Sequence, residues 1–270
     1  MQSQLKVSGL FIYPIKSLGG ISLSEAEVLE RGFKYDRRWM LVDAEGMFIT
    51  QRTYPQLALL RISLEPEGLL VFHVNQPEEN LKVPFAAVAV EKKRIIIWDD
   101  EVEADLLSHE YGDWFSKFLG FRVDLVKMPD LGVRPVDPRY SEKDENVSFA
   151  DGMPYLIIGE ESLKDLNERL DEPVPMNRFR PNIVFSGGQA FEEDKWSYLD
   201  IGDVKFKGVK PCARCVLTTV NQDTGVTGKE PLKTLAGYRN FENKVLFGQN
   251  ALALGPGMVR VGDEIIKHDQ

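Results

Sequence analysis

The chain has 270 residues, 43% of them hydrophobic, and a formal net charge of −9. That length allows one large or two medium domains with a sizeable core. The acidic balance argues against a nucleic-acid polymer as ligand, since such binders carry a basic excess or stripe. No run reaches the roughly 18 apolar residues of a membrane span. The start, Met1-Gln2-Ser3-Gln4-Leu5-Lys6, lacks an apolar signal region, so a soluble, cytoplasmic protein is expected.

The first hundred residues read as short strands. Leu10 to Ile15 is apolar and ends in Lys16-Ser17-Leu18-Gly19-Gly20, a turn signal. Ile21 to Ser24 alternates. Trp39 to Val42 meets Asp43-Ala44-Glu45-Gly46 and predicts a hairpin into Met47 to Thr50. Leu59 to Leu64 and Leu69 to Val74 flank a second hairpin turn, and Val88 to Trp98 closes the set. Strands at this spacing predict a barrel or sandwich. Leu107, Tyr111, Trp114, Phe115 and Phe118 then recur at helical spacing, and Gly120 is the expected stop. Residues 128–150 hold prolines and charges without periodicity and predict a solvated loop, with Arg134 and Arg139 as surface charges or, in the alternative, facing an anionic ligand.

The second half mixes classes. Strands are expected over Tyr155 to Ile158, Asn182 to Phe185, Asp203 to Phe206, Leu246 to Leu254 and Val259 to Ile266. Helices are expected over Glu160 to Leu170, with acidic residues at its positive end, and over Leu232 to Tyr238. The fold class is mainly β with some α. No repeat or low-complexity tract occurs, and the sequence carries no signal of oligomeric state.

The two cysteines of the chain stand together in Pro211-Cys212-Ala213-Arg214-Cys215. Two cysteines cannot staple a chain of this length. A structural zinc needs four ligands, and His73, His109 and His268 are scattered. A thioredoxin-like pair opens a helix, whereas Val216 to Val220 reads as a strand. What remains is one soft thiolate activated by Arg214, or a buried inert pair. Basic residues also recur at strand ends: Lys16-Ser17, Asp36-Arg37-Arg38, and Arg178-Phe179-Arg180-Pro181-Asn182. Converging, they would make an anion pocket beside the thiolate; singly, each is an ordinary surface charge. No phosphate loop, HExxH, GxSxG or full dinucleotide fingerprint is present.

Taken together, the motifs resemble the MOSC superfamily. Tyr13-Pro14-Ile15-Lys16-Ser17, Asp36-Arg37-Arg38-Trp39, Phe179-Arg180-Pro181-Asn182, the run Pro211 to Gly225, Phe247-Gly248-Gln249 and Val261-Gly262-Asp263 carry the likeness. Their order resembles the branch of the mitochondrial amidoxime-reducing component and bacterial reductases of N-hydroxylated compounds. The resemblance implies an N-terminal MOSC-associated β domain over 1–125 and a MOSC β-barrel over 126–270. It also implies a molybdenum cofactor, with Cys215 as metal ligand. Lys16, Ser17, Arg37, Arg180, Asn182 and Arg214 would hold the cofactor, and Asp151 would lie near the metal and assist proton movement.

The chain departs from the mitochondrial proteins at two points. Gly152-Met153 replaces hydroxylated residues, so any contact there uses backbone groups, and Asn250 replaces an aromatic residue. The implied activity is a molybdenum-dependent oxidoreductase that reduces N–OH to N–H and detoxifies N-hydroxylated bases. It would be fed by a separate donor carrying flavin and an iron–sulfur or haem centre, because the chain has no cysteines left for a cluster. The rival reading is a sulfur or cofactor carrier that uses a persulfide on Cys215. Such a carrier has no need of the basic anchors.

Overall fold

The computed structural model describes residues 4–268. The polar start at Met1 to Ser3 lies outside them. A nine-stranded sheet organises the molecule. Its path runs Ile265–His268, Tyr198–Ile201, Val204–Ala213, Lys244–Ala253, Tyr155–Gly159, Ile183–Ser186, Lys6–Ile12 and Ile21–Leu23, with Asn240–Phe241 paired to Lys244–Ala253. All of its pairings are antiparallel except Tyr155–Gly159 with Ile183–Ser186. That exception needs a crossover. The crossover carries the helix Glu160–Asn167.

A four-stranded sheet follows the order Trp39–Val42, Asp124–Lys127, Asp100–Leu106 and Glu91–Ile97. The meander Leu60–Glu65, Gly68–His73 and Gln76–Pro84 forms a third sheet, and Gly257–Arg260, Glu25–Leu29 and Gly32–Phe33 form a fourth. Helix α1 (His109–Leu119) seals the core under the meander with Phe115 and Leu119, and ends at Gly120 in left-handed backbone at φ 79°. The mainly β class with a few helices is thus the observed one.

The first strand belongs to the far end of the chain. Lys6–Ile12 pairs with Ile183–Ser186, and Glu25–Leu29 pairs with Gly257–Arg260. Leu10 and Ile12 are packed in one core with Tyr155, Phe185, Phe206 and Val259. A second core, around Trp39, Leu57, Val71 and Phe115, belongs to the intervening lobe. The strand Asp124–Lys127 is hydrogen-bonded into this lobe. The division expected at 125/126 falls inside that strand.

Several elements differ from the sequence reading. The arm Met47 to Thr50 makes isolated bridges, from Phe48 to Val42 and from Met47 to Ile96, and no strand. Gln76–Pro84 is a strand despite its exposed, charged pattern, because it pairs with Gly68–His73 at the edge of the meander, where Val83 alone is buried. Val259 to Ile266 is two strands, broken where Gly262 takes φ 96°. The predicted strand after Cys215 is a 3-10 turn, Val216–Thr219, so the contrast drawn with a strand-to-helix cysteine motif does not hold. Its β-branched residues fit a turn because Thr218 and Thr219 donate their hydroxyls to the carbonyls of Cys215 and Val216.

Candidate active site

A cavity of about 290 Å³ opens between the lobe and the large sheet. That is the lower end of the size of small-molecule sites, and junctions of this kind are where they form. Every site residue that the family resemblance implies lines it: Lys16, Ser17, Arg37, Asp151, Gly152, Met153, Arg180, Asn182, Arg214, Cys215 and Asn250.

The backbone under three of them is left-handed: Ser17 at φ 69°, Arg37 at 48° and Arg180 at 55°. Non-glycine residues rarely stay there unless their surroundings hold them, and such residues gather at functional sites. Arg37 is held by its own side chain, which donates to Asp36 Oδ2 at 2.6 Å, Asn182 Oδ1 at 3.1 Å and the Arg180 carbonyl at 3.3 Å. Asn182 also donates Nδ2–H to the Phe11 carbonyl, so its amide ties the first strand to the sheet. Arg37 and Arg180 both lie over Tyr13, at 4.3 and 4.1 Å from its centroid. Burial pushes the Tyr13 hydroxyl up to about 12 against the pull of these cations.

Arg180 is 7% exposed, yet its guanidinium has no hydrogen-bond partner among the described residues. Burial pushes it down to about 10. The Ser17 hydroxyl, in a residue 4% exposed, likewise bonds no described residue. Neither group is among the fully buried polar atoms left without a partner, so both open on the cavity. Donors left free on a cavity wall are the mark of a site built for an anion.

Lys16 and Asp151 form a pair. Lys16 Nζ donates to Asp151 Oδ1 at 2.6 Å and to the Phe149 carbonyl at 2.7 Å, which leaves its third donor free. Burial pushes Lys16 down to about 8, against the opposing effect of Asp151, with Arg134 and Arg52 adding to the fall. Desolvation acts upward on Asp151, but Lys16 and Arg52 overcome it and hold the carboxyl well below the carboxylate range. The carboxylate is 59% exposed, at the cavity mouth.

The cysteines part company. Cys212 sits in the last turn of pleat of Val204–Ala213, where a register shift between Pro211 and Ala213 bends the strand. Proline cannot donate to a ladder and is at home in such a bulge. Cys215 follows, exposed, at the head of the 3-10 turn. Arg214 was expected to activate Cys215. Its guanidinium instead faces Cys212 Sγ at 3.0 Å and the Phe179 carbonyl at 2.6 Å. Arg178, grouped with the other strand-end cations, holds the carbonyls of Thr218 and Glu230 and so fixes the turn after Cys215.

Three contributors were missed. Arg52 and Lys210 line the cavity. Arg134, expected in a solvated loop, is 2% exposed. It pairs with Asp100 through Nε at 2.8 Å and donates to the carbonyls of Ser148, Ala150 and Asp151, clasping the segment that carries Asp151. Arg139 is exposed on Asp137, as a surface charge. No local pattern marks Arg134, because its partners lie 14 to 34 residues away.

The N-terminal half, residues 4–122, matches the MOSC N-terminal beta barrel domain family, and residues 144–266 match the MOSC domain family. The mitochondrial amidoxime-reducing component 1 of Mus musculus is 35% identical over 96% of this chain and 81% of its own length. The human protein of the same name is also 35% identical, over 96% of this chain and 82% of its own. The chain belongs to the MOSC superfamily, in the branch of the amidoxime-reducing components. Among solved structures, the YUAD protein of Bacillus subtilis is similar at a TM-score of 0.46 and 12% identity, over 98% of this chain and 96% of that one. No helix among the described residues is long and apolar enough to cross a membrane.

The site of this MOSC chain suits an anionic, metal-bearing group. Six cations, Lys16, Arg37, Arg52, Arg180, Lys210 and Arg214, line the cavity with a single carboxylate, Asp151. No cluster of three metal-ligating side chains occurs among the described residues, so Cys215 would be a lone protein ligand. A lone thiolate fits a metal whose other ligands arrive with a cofactor.

Proposed function

We propose that this protein is a molybdenum-cofactor-dependent reductase of N-hydroxylated compounds. The observation that carries the reading is the convergence of separate motifs on one cavity, on whose wall the Arg180 guanidinium bonds no described residue. The names of the relatives, amidoxime-reducing components, support the substrate class. In this reading Cys215 ligates the metal, and Arg180, Ser17, Arg37 and Arg214 hold the phosphate and pterin by charge-assisted bonds. Asn182 orients Arg37, as its bond to that guanidinium implies. Gly152 and Met153 offer backbone groups, and Asn250 offers its amide.

The overall reaction is R–NHOH + 2 e⁻ + 2 H⁺ → R–NH₂ + H₂O. When bound, the cofactor supplies the two-electron redox chemistry. The chain supplies position and protons. Asp151, as carboxylate, holds a proton on Lys16 Nζ at 2.6 Å. A lysine pushed down to about 8 is matched to release that proton near neutral pH. Electrons come from a separate protein bearing flavin and an iron–sulfur or haem centre. A cytoplasmic setting is part of the proposal; the relatives are named mitochondrial.

The test is metal and persulfide analysis of freshly purified protein, followed by turnover of a hydroxylaminopurine with a chemical reductant and with NADH alone. Molybdenum, and turnover with the chemical reductant only, are expected. A Cys215 persulfide without molybdenum, even after incubation with the cofactor, would make the protein a sulfur carrier.

A further inference from the structure

The cavity rim holds an aromatic cluster outside every motif. The strands Glu91–Ile97 and Asp100–Leu106 pair with Asp100 opposite Ile97, which leaves Trp98-Asp99 as a two-residue hairpin loop. The first central position of such a loop favours positive φ and is usually glycine, asparagine or aspartate. Here it is tryptophan, at φ 57°. A bulky residue in that region is an outlier that its neighbours must hold. Trp98 is also 42% exposed, so its ring is not kept there to fill a core.

What holds the ring belongs to the cavity. Trp98 Nε1–H donates to Asp151 Oδ1 at 3.3 Å, and the Phe48 ring packs 5.2 Å away at a tilt. The Arg52 guanidinium carbon lies 3.9 Å from the indole centroid and 5.9 Å from that of Phe48. Arg52 lines the cavity, and Asp151 Oδ1 lies 3.7 Å from its NH2. A flat cation is thus held against an indole on one side and a carboxylate at its edge.

Resting on the reductase reading above, we infer that Arg52, backed by Trp98, is the specificity element of this site. It forms a fixed cationic platform that favours planar, electron-rich aromatic N-hydroxylated substrates over small aliphatic ones. A guanidinium plane stacks on aromatic faces, and an aliphatic compound has no such face to offer. On a free side chain the plane would have to be ordered by each substrate. Trp98 and Asp151 order it beforehand, which favours binding.

The experiment uses cofactor-loaded protein, a chemical reductant, and two substrates, 6-hydroxylaminopurine and acetamidoxime. Two variants separate charge from shape. Trp98→Gly removes the indole and suits the loop backbone, so the fold is kept. Arg52→Lys keeps the charge and removes the plane. In each, the ratio of kcat/KM for the purine to that for acetamidoxime falls about tenfold, as the loss of one cation–π contact predicts. Calorimetric titration with the purine, without reductant, shows a matching rise in Kd. A loss of Asp151 alignment alone would slow both substrates equally and leave the ratio in place. If the wild type reduces both compounds and both variants keep the ratio within twofold, the platform is wrong. If the wild type reduces neither, the reductase reading fails, and the titration decides the platform: weaker purine binding in both variants supports it, and unchanged binding overturns it.

Discussion

On the floor of the cavity, Arg180 and Ser17 keep donors that bond no described residue, and Ser17, Arg37 and Arg180 stand on left-handed backbone. On the rim, Arg134 spends its donors on Asp100 and on three carbonyls, and Asp151 gathers Lys16, Arg52 and Trp98. Both regions are rich in arginine, yet Arg180 keeps its donors free on the cavity wall, whereas Arg134 gives its donors to protein groups. Burial of a charge therefore means different things in the two places. Where partners are present it fastens the fold, and where they are absent it reserves the charge for something that arrives later.

The sharpest contrast lies in the cysteines. Cys215→Ser should lower reductase activity by more than the roughly 10–100-fold typical of losing an outer-shell partner, because the ligand itself is gone. Its thiol is exposed, so urea unfolding should move by no more than about 0.5 kcal/mol. Cys212→Ala should keep activity within a few-fold in the same assay. Equal loss in both would point to a redox pair.

Arg134→Ala should be the most destabilising of the arginine changes, by about 3 kcal/mol, since it strands buried carbonyls and removes the partner of Asp100. Arg180→Ala, read in the same denaturant titration of cofactor-free protein, should stay within about 1 kcal/mol, because only the stacking on Tyr13 is lost. Its effect should appear as faster loss of cofactor on dialysis. Similar stability losses in the two variants would erase the distinction between floor and rim.

The Lys16–Asp151 pair adds a dependence on pH. Lys16 is pushed down to about 8 in the folded protein, below its usual 10.5. Between those values the unfolded chain holds a proton that the folded one has released, so the Lys16 contribution to stability rises with pH through that window. The difference between wild type and Lys16→Met in cofactor-free protein, measured from pH 7.5 to 10.5, should shift in favour of the wild type as pH rises. A shift in the other direction would mean that Asp151 outweighs burial at this lysine.

The sequence carried the floor better than the rim. Floor residues sit in short runs, such as Phe179-Arg180-Pro181-Asn182, where backbone shape and side-chain chemistry are local. Rim residues depend on contacts between distant segments. Trp98 reaches Asp151 across 53 residues, and Arg134 reaches Asp100 across 34. A lone arginine in a proline-rich loop gives no sign of such a partner. The fold shows the same divide. The hairpin Leu60–Glu65 to Gly68–His73 and the helix Leu232–Tyr238 follow from local pattern. The return of Lys6–Ile12 to the sheet of the other half does not. The 3-10 turn after Cys215 was misread because valine and threonine favour strands, and hydroxyl bonds to the preceding carbonyls override that preference.

The central claim is that the free donors of Arg180 and Ser17 await a molybdenum cofactor ligated by Cys215. It is tested most directly by molybdenum stoichiometry after incubation with the cofactor and gel filtration. We expect about one metal per chain in the wild type, from the single thiolate available. Clear losses are expected in Cys215→Ser and Arg180→Ala, and none in Cys212→Ala. Wild-type protein that retains no molybdenum, or retention equal in all four proteins, would contradict the account.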